Sequence, residues 1–356
     1  MPFYNREEDI RRLKALLSGE PNLVYFVYGP INSGKTALLN RVFEELPDSY
    51  RVFYVNFRGF EGGYPKFTRA FFELGDQNLW EKLKGNLPLI SAALEYVERV
   101  AKKINTAVEL PGEVIRLLQL GGEDPEKMDM FHYLERLMGR LVERGYRPIL
   151  ALDEIQVLKG ELNATGEPLL KRLFNFMVRL TKETHLCHCL CATSDCLFIE
   201  EIYANARLEG RARYLLVDDL PREKAFEVYP QFGFEDAELV WDYINGKPGD
   251  MVRLFDLKKE GYPEKEALSE MLKDEVGRLE WIKWRKLRDK DGRDLWNFLK
   301  VFGQKDHLKR EELEEAFDKI LFWVEENILF YNPLEGTVRP QGRLIKRAIE
   351  EVVAEA

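Results

Sequence analysis

Apolar and amphipathic stretches alternate regularly over the first two hundred residues of this chain. Residues 23–28, 52–56, 148–152, 188–193 and 214–217 are short β-branched or apolar runs, each separated from the next by patterns of helical period. Such runs, alternating with helices, predict a parallel sheet of the α/β class. The stretch from 57 to 147 is too long for a single crossover. It holds an amphipathic pattern at 87–104, a shorter one at 111–120 and the crossover itself near 128–144, so a helical insert is expected at about 60–130, as a lid or as an extension of the scaffold.

Beyond Pro221 the period becomes helical throughout, up to residue 272, with a break at Gly246-Lys247-Pro248-Gly249. The pattern changes again near Asp294. Residues 295–302 and 310–321 read as helices and 322–326 continue the apolar pattern. Residues 328–331 and 337–340 flank a turn at 332–336 as a hairpin, and 342–353 form a last helix. Helices that end in a β-wing predict a winged helix. The expected division is an α/β domain at 1–220, a small helical lid domain at 221–280 and a winged-helix domain at 281–356.

Composition narrows the setting. A chain of 356 residues with 45% hydrophobic content is long enough for two or three domains with real cores. No run approaches eighteen apolar residues, and residues 1–8 are polar and charged, unlike a signal peptide, so a soluble cytoplasmic protein without membrane contact is expected. The 53 Lys and Arg against 62 Asp and Glu give a net charge of −9, which argues against indiscriminate polyanion binding and leaves room for a local basic patch. All four cysteines fall between Cys187 and Cys196, and Cys187, Cys189 and Cys191 share strand parity. That spacing is not the C-x₂₋₄-C of zinc sites, and small cysteines in a buried strand behave as hydrophobes, so a core strand is expected.

The first chemical signal is Gly29-Pro30-Ile31-Asn32-Ser33-Gly34-Lys35-Thr36, a complete G-x-x-x-x-G-K-S/T loop between an apolar run and a helical pattern. At average composition its four fixed positions would coincide in roughly one chain of this length in a hundred. Gly29 and Gly34 let the backbone curl so that N–H groups point at phosphate oxygens, and the following helix N-terminus adds positive potential. Lys35 is expected on the β- and γ-phosphates, the Thr36 hydroxyl on Mg²⁺, and Pro30, Asn32, Ser33 and Ala37 around the same phosphates.

The run 148–152 ends in Asp153-Glu154, two carboxylates at a strand end, where a sheet of this type presents its ligand site. Asp153 is expected to hold Mg²⁺ through its water shell and Glu154 to activate the attacking water. Gln156 and the loop 159–167 are candidates for the same mouth. The next strand ends in Thr193-Ser194-Asp195, where a hydroxyl can report the γ-phosphate, with Ser194 favoured over Thr193. Arg207, Arg211 and Arg213 precede the fifth strand. A guanidinium among them, Arg211 first, is a candidate to stabilise the transferring phosphoryl group in cis or across a subunit boundary.

Together these residues resemble the archaeal P-loop ATPase family that belongs with the STAND and AAA+ branches. The resemblance covers nearly the whole chain. It rests on Phe3-Tyr4-Asn5-Arg6-Glu7-Glu8, the phosphate loop, Leu152-Asp153-Glu154-Ile155-Gln156, Thr193-Ser194-Asp195, Gly210-Arg211 and Asn245-Gly246-Lys247-Pro248. It implies an ASCE-type P-loop NTPase with a five-stranded sheet in the order 5-1-4-3-2, a C-terminal winged helix, and an ADP/ATP-dependent switch with slow Mg²⁺-dependent hydrolysis. In the opening segment Asn5 and Glu8 would form a capping box and leave Tyr4 and Arg6 to approach the adenine. Gly246 and Pro248 fit the turn by which the small domain of such families touches nucleotide. Two functions follow. One is an ATPase switch acting on a protein partner. The other is a DNA-binding AAA+-like ATPase of replication, recombination or repair, favoured by the basic residues Lys283, Arg285, Lys286, Arg288 and Lys290 and by 343–347, and opposed by acidic residues at 311–315 and 325–326.

Overall fold

The computed structural model describes residues 6–58, 130–162, 166–203, 208–287, 290–312 and 316–354. Residues 59–129 of the expected insert, together with Tyr4, Asn5, Arg207 and Arg288, lie outside the described residues.

Five strands, β1 (Val24–Tyr28), β2 (Tyr50–Asn56), β3 (Arg147–Asp153), β4 (His188–Thr193) and β5 (Ala212–Leu216), form a parallel sheet in the order β2-β3-β4-β1-β5. Read from the other edge, this is the expected 5-1-4-3-2. The helices of this part are α1 (Glu7–Ser18), α2 (Lys35–Glu44), α3 (Met130–Glu143), α4 (Leu169–Val178) and α5 (Cys196–Tyr203). Strand side chains alternate between the two faces and both faces are covered. Tyr25, Val27, Leu190 and Ala192 pack with Leu13, Leu17, Leu38 and Val42 of α1 and α2. Val24, Phe26, Cys189 and Cys191 pack on the other side with Leu134, Leu137, Leu173 and Met177 of α3 and α4. Full burial on both faces is why these strands read as continuous apolar runs, and each buried Leu or Phe contributes about 1.5–3 kcal/mol.

The helices α6 (Arg222–Val228), α7 (Ala237–Ile244), α8 (Pro248–Lys259) and α9 (Glu264–Lys286) follow, then α10 (Lys290–Lys300), β6 (Leu308–Lys309), α11 (Phe317–Glu325), β7 (Leu329–Asn332), β8 (Thr337–Pro340) and α12 (Arg343–Ala354). The last three strands make an antiparallel sheet in the order β6-β8-β7. Of the helix expected at 310–321, the described residues are a short 3₁₀ turn at Arg310–Glu312, directly after β6, and α11 from Phe317. A two-residue strand leaves no period to read, and only its pairing with Val338 and Thr337 defines it. The helix α1 begins at Glu7 with Arg6 at its cap, and the Asn5 half of the capping box expected between Asn5 and Glu8 lies outside the described residues. The apolar cluster below the sheet continues without interruption through α7, α9 and α12. Among the described residues no helix is long and apolar enough to cross a membrane.

Candidate nucleotide site

The register of the sheet brings Tyr28, Asn56, Asp153, Thr193 and Leu216 to one edge, because Tyr28 pairs with both Thr193 and Leu216, and Asn56 with Asp153. The phosphate loop leaves β1 at that edge. Gly34 caps α2 with φ 89°, a left-handed conformation that suits glycine. A Cβ on Gly29 would lie 2.2 Å from the Val217 carbonyl oxygen, so only glycine fits there. Lys35, Thr36 and Ala37 form the first turn of α2, whose leading N–H groups have no partner within the helix. Lys35 is buried, and its Nζ donates to the carbonyls of Gly29 at 3.1 Å and Pro30 at 2.8 Å. Desolvation pushes its ammonium down to about 8, with the Glu154 carboxylate acting in the opposite direction.

The acid pair faces this turn. The Thr36 hydroxyl donates to Asp153 Oδ2 at 2.7 Å, and the Tyr54 hydroxyl donates to the same oxygen at 2.7 Å. A hydroxyl and a carboxylate converging at a helix N-terminus form a hard-oxygen donor set that suits Mg²⁺. Glu154 follows with φ 55°, a sparsely populated backbone for a residue other than glycine, and its carboxylate is almost fully buried. Arg58 Nη2 donates to its Oε1 at 2.6 Å and Gln156 Nε2 to its Oε2 at 2.6 Å. The Thr193 hydroxyl in turn donates to Gln156 Oε1 at 2.8 Å. Ser194, one residue further on, is half-buried beyond the strand end, so the hydroxyl linked to the acid pair is that of Thr193.

The outer side of the phosphate loop is held from three directions. Arg6 Nη2 donates to the Ser33 carbonyl and to the Asp218 carbonyl, each at 2.6 Å, which ties the loop to the end of β5. Lys247 Nζ donates to the Ile31 carbonyl at 3.0 Å and meets Asp219 at 3.3 Å, and the Gly249 N–H donates to the Asn32 carbonyl at 3.1 Å. From the C-terminal sheet, Gln341 Oε1 accepts the Ile31 N–H at 3.1 Å and Asn332 Oδ1 accepts the Tyr28 hydroxyl at 3.0 Å. Pro248 stands over Gly34, with its Cγ 3.7 Å from where a Cβ would be.

Two expected residues lie elsewhere than the sequence suggested. Arg6 is turned into the loop backbone, where its guanidinium satisfies carbonyls. Arg211 precedes β5 beside Val24, whose N–H bonds the Arg211 carbonyl, at the sheet edge opposite the phosphate loop. Val24 and Tyr28 are four strand steps apart, about 13 Å at ordinary strand rise, so the backbone of Arg211 is held well away from the phosphate loop. The same holds for Arg213, which pairs with Tyr25. Tyr54, Arg58, Lys247, Asn332 and Gln341 carry no motif of their own. Only Lys247 had a signal, its place inside the Gly246–Gly249 turn.

Comparison with known proteins agrees with this geometry. Residues 3–254 match the family described as an ATPase domain predominantly from Archaea, and residues 265–353 match the C-terminal domain of uncharacterized MJ1010-like ATP-binding proteins. An uncharacterized ATP-binding protein of Methanocaldococcus jannaschii is 36% identical over 99% of each chain, and one of Pyrococcus abyssi is 37% identical over 99% of this chain and 98% of its own. Among solved structures, the Walker-type ATPase PABY2304 of Pyrococcus abyssi superposes with a TM-score of 0.64 at 15% identity, covering 98% of this chain and 96% of that one. The ORC2 protein of Aeropyrum pernix, solved with ADPNP and ADP, gives 0.51 at 12% identity, covering 100% and 95%.

Proposed function

The chain belongs to the ATPase family found predominantly in Archaea, and from that premise we propose that it binds ATP with Mg²⁺, hydrolyses it, and uses the difference between ATP and ADP to shift the packing of its C-terminal segments. The observation that carries this reading is the position of the phosphate loop as a junction. Its backbone is bonded by Lys247 and Gly249 from the helical segment and by Gln341 from the C-terminal sheet, so a phosphate that reshapes the loop alters both contacts. A ligand shifts such an equilibrium only by its differential affinity for the two arrangements.

In this mechanism Lys35 and the first-turn N–H groups of α2 bind the phosphates, and Pro248 offers an apolar edge to the adenine. Thr36, and Asp153 through water, would hold Mg²⁺, which neutralises charge on the β- and γ-phosphates. Glu154 accepts a proton from water as the water oxygen bonds to the γ-phosphorus and the bond to the ADP oxygen breaks. An arginine acting on the transferring phosphoryl as Arg211 would come from a neighbouring copy. Glu154→Gln should keep nucleotide affinity, trap ATP and lower turnover about 10²–10⁴-fold, whereas Lys35→Ala should lose affinity. Nucleotide titration and phosphate release measure both, and unchanged turnover in Glu154→Gln removes that residue from the mechanism.

A second reading, nucleic-acid binding, has one specific observation behind it. Trp281 and Trp284 are exposed on α9, with Arg285 stacked over Trp281 and Lys283 over Trp296, in a segment that we read together with α10, α11 and the β7–β8 hairpin as a winged helix. Aromatic rings beside cations suit stacked bases. Against it, Arg343 and Arg347 are engaged by Asp242, and Lys286 by Glu326. Replacing Lys283 and Arg285 with Gln should flatten the dependence of log K on log salt in an anisotropy series. Failure of the wild type to bind DNA at low salt leaves the switch acting on a protein partner.

A further inference from the structure

We infer that Gln156 is a positioning residue that makes the Glu154 carboxylate answer to the γ-phosphate through the single hydroxyl proton of Thr193, an inference that rests on the ATP-binding reading above. Thr193 is the last residue of β4, beside Tyr28 in register, at the point where the phosphate loop begins. Its hydroxyl is one link in a line of polar contacts. The Asp195 N–H donates to Thr193 Oγ1 at 3.0 Å, Thr193 Oγ1 meets Gln156 Oε1 at 2.8 Å, and Gln156 Nε2 meets Glu154 Oε2 at 2.6 Å. Arg58 takes the other carboxylate oxygen at 2.6 Å.

Chemistry fixes the direction of this line. An ionised carboxylate only accepts, so the amide must present its NH₂ to Glu154 and its oxygen to Thr193. That oxygen also only accepts, so the Thr193 proton points to Gln156. A threonine hydroxyl has one proton. A γ-phosphate at the strand end, whose oxygens are all acceptors, therefore competes with Gln156 for it. When the phosphate takes the proton, Gln156 loses its fixed point, and one of the two donors holding Glu154 is released. Arg58, which takes the other carboxylate oxygen, follows β2, so the hydrogen-bonded link from the Glu154 carboxylate to β4 runs through Gln156. ADP has no γ-phosphate and leaves the line intact.

The competition predicts a binding difference between nucleotides that packing effects do not produce. In Gln156→Leu the Thr193 proton has no rival acceptor, so a non-hydrolysable ATP analogue should bind about 5- to 10-fold tighter while ADP affinity stays unchanged, the change expected for one neutral hydrogen bond. Thr193→Val should weaken the analogue by a similar factor with ADP unchanged. The double variant should match Thr193→Val alone, because Gln156 acts only through the missing hydroxyl. Calorimetric titration of the four proteins with analogue and ADP, alongside thermal melts, reads all of this. Equal shifts for both nucleotides, or additive effects in the double variant, overturn the inference. A wild type that binds neither nucleotide overturns the ATP reading and this inference together, and shows itself as loss of every signal.

Discussion

Lys35 carries its charge into a buried turn, and desolvation brings its ammonium down to about 8. Phosphate binding favours the charged form and raises that value again, so binding draws a proton from solution once the pH exceeds about 8. Nucleotide affinity should be flat from about pH 6 to 7.5 and then fall, by up to about tenfold per pH unit. Lys35→Arg, which stays charged, should remove the slope. Calorimetry in buffers of different ionisation enthalpy checks the proton uptake directly. Tyr54 makes a second argument at this scale. Its hydroxyl shares Asp153 Oδ2 with Thr36, so Tyr54→Phe should raise the Mg²⁺ concentration for half-maximal turnover about tenfold, and leave Mg²⁺-free nucleotide binding unaltered. Lys35, Thr36, Asp153 and Glu154 were legible because strand, loop and helix fix their types and spacing within short motifs. Tyr54 and Arg58 were not, because 99 and 96 residues separate them from the carboxylates they touch.

Among the elements, the first turn of α8 is closely packed against the phosphate loop. A Cβ on Gly249 would sit 2.5 Å from Asn32 Cβ, and the Gly249 N–H holds the Asn32 carbonyl. Gly249→Ala should push α8 away from the phosphate loop at a cost of about 1–3 kcal/mol and weaken nucleotide binding, as titration and thermal melting would record. Asp250, in the first turn of α8, is pushed up to about 7 by desolvation, with Lys247 pulling the other way. Between about pH 4 and 7 the folded protein holds a proton that the unfolded chain has released, so stability from this group falls as pH rises through that window. Asp250→Asn should flatten the melting temperature across pH 5–8 and gain about 1–2 kcal/mol at pH 8, given partial solvent screening. The sheet strands were readable from apolar runs because both faces are covered. The strand β6 was not, since pairing across to β8 rather than its own composition makes it a strand.

For the whole molecule, the contacts that join the phosphate loop to the C-terminal sheet span almost the full chain. Tyr28 and Asn332 are 304 residues apart, and Ile31 and Gln341 are 310 apart. If nucleotide alters the loop, hydrogen exchange at residues 329–341 should change between ADP and an ATP analogue in the wild type, and the Asn332→Ala/Gln341→Ala variant should lose that response while still binding nucleotide. Identical exchange in both nucleotide states would disconnect the loop from the C-terminal sheet. The sequence by itself determined the parallel sheet, the phosphate loop and the carboxylate pair, because these depend on local period, on backbone conformations that few residues adopt, and on chemistry confined to short spacings, whereas the strand order was implied only by the family resemblance. Tertiary structure alone decided that Thr193 rather than Ser194 reaches the acid pair, that Arg6 braces the loop, that Arg211 lies at the far sheet edge, and that Gln341 meets the phosphate loop. Each of these depends on register and on the packing of distant elements, and a pattern read along one chain does not record which side chains that packing brings within hydrogen-bond reach.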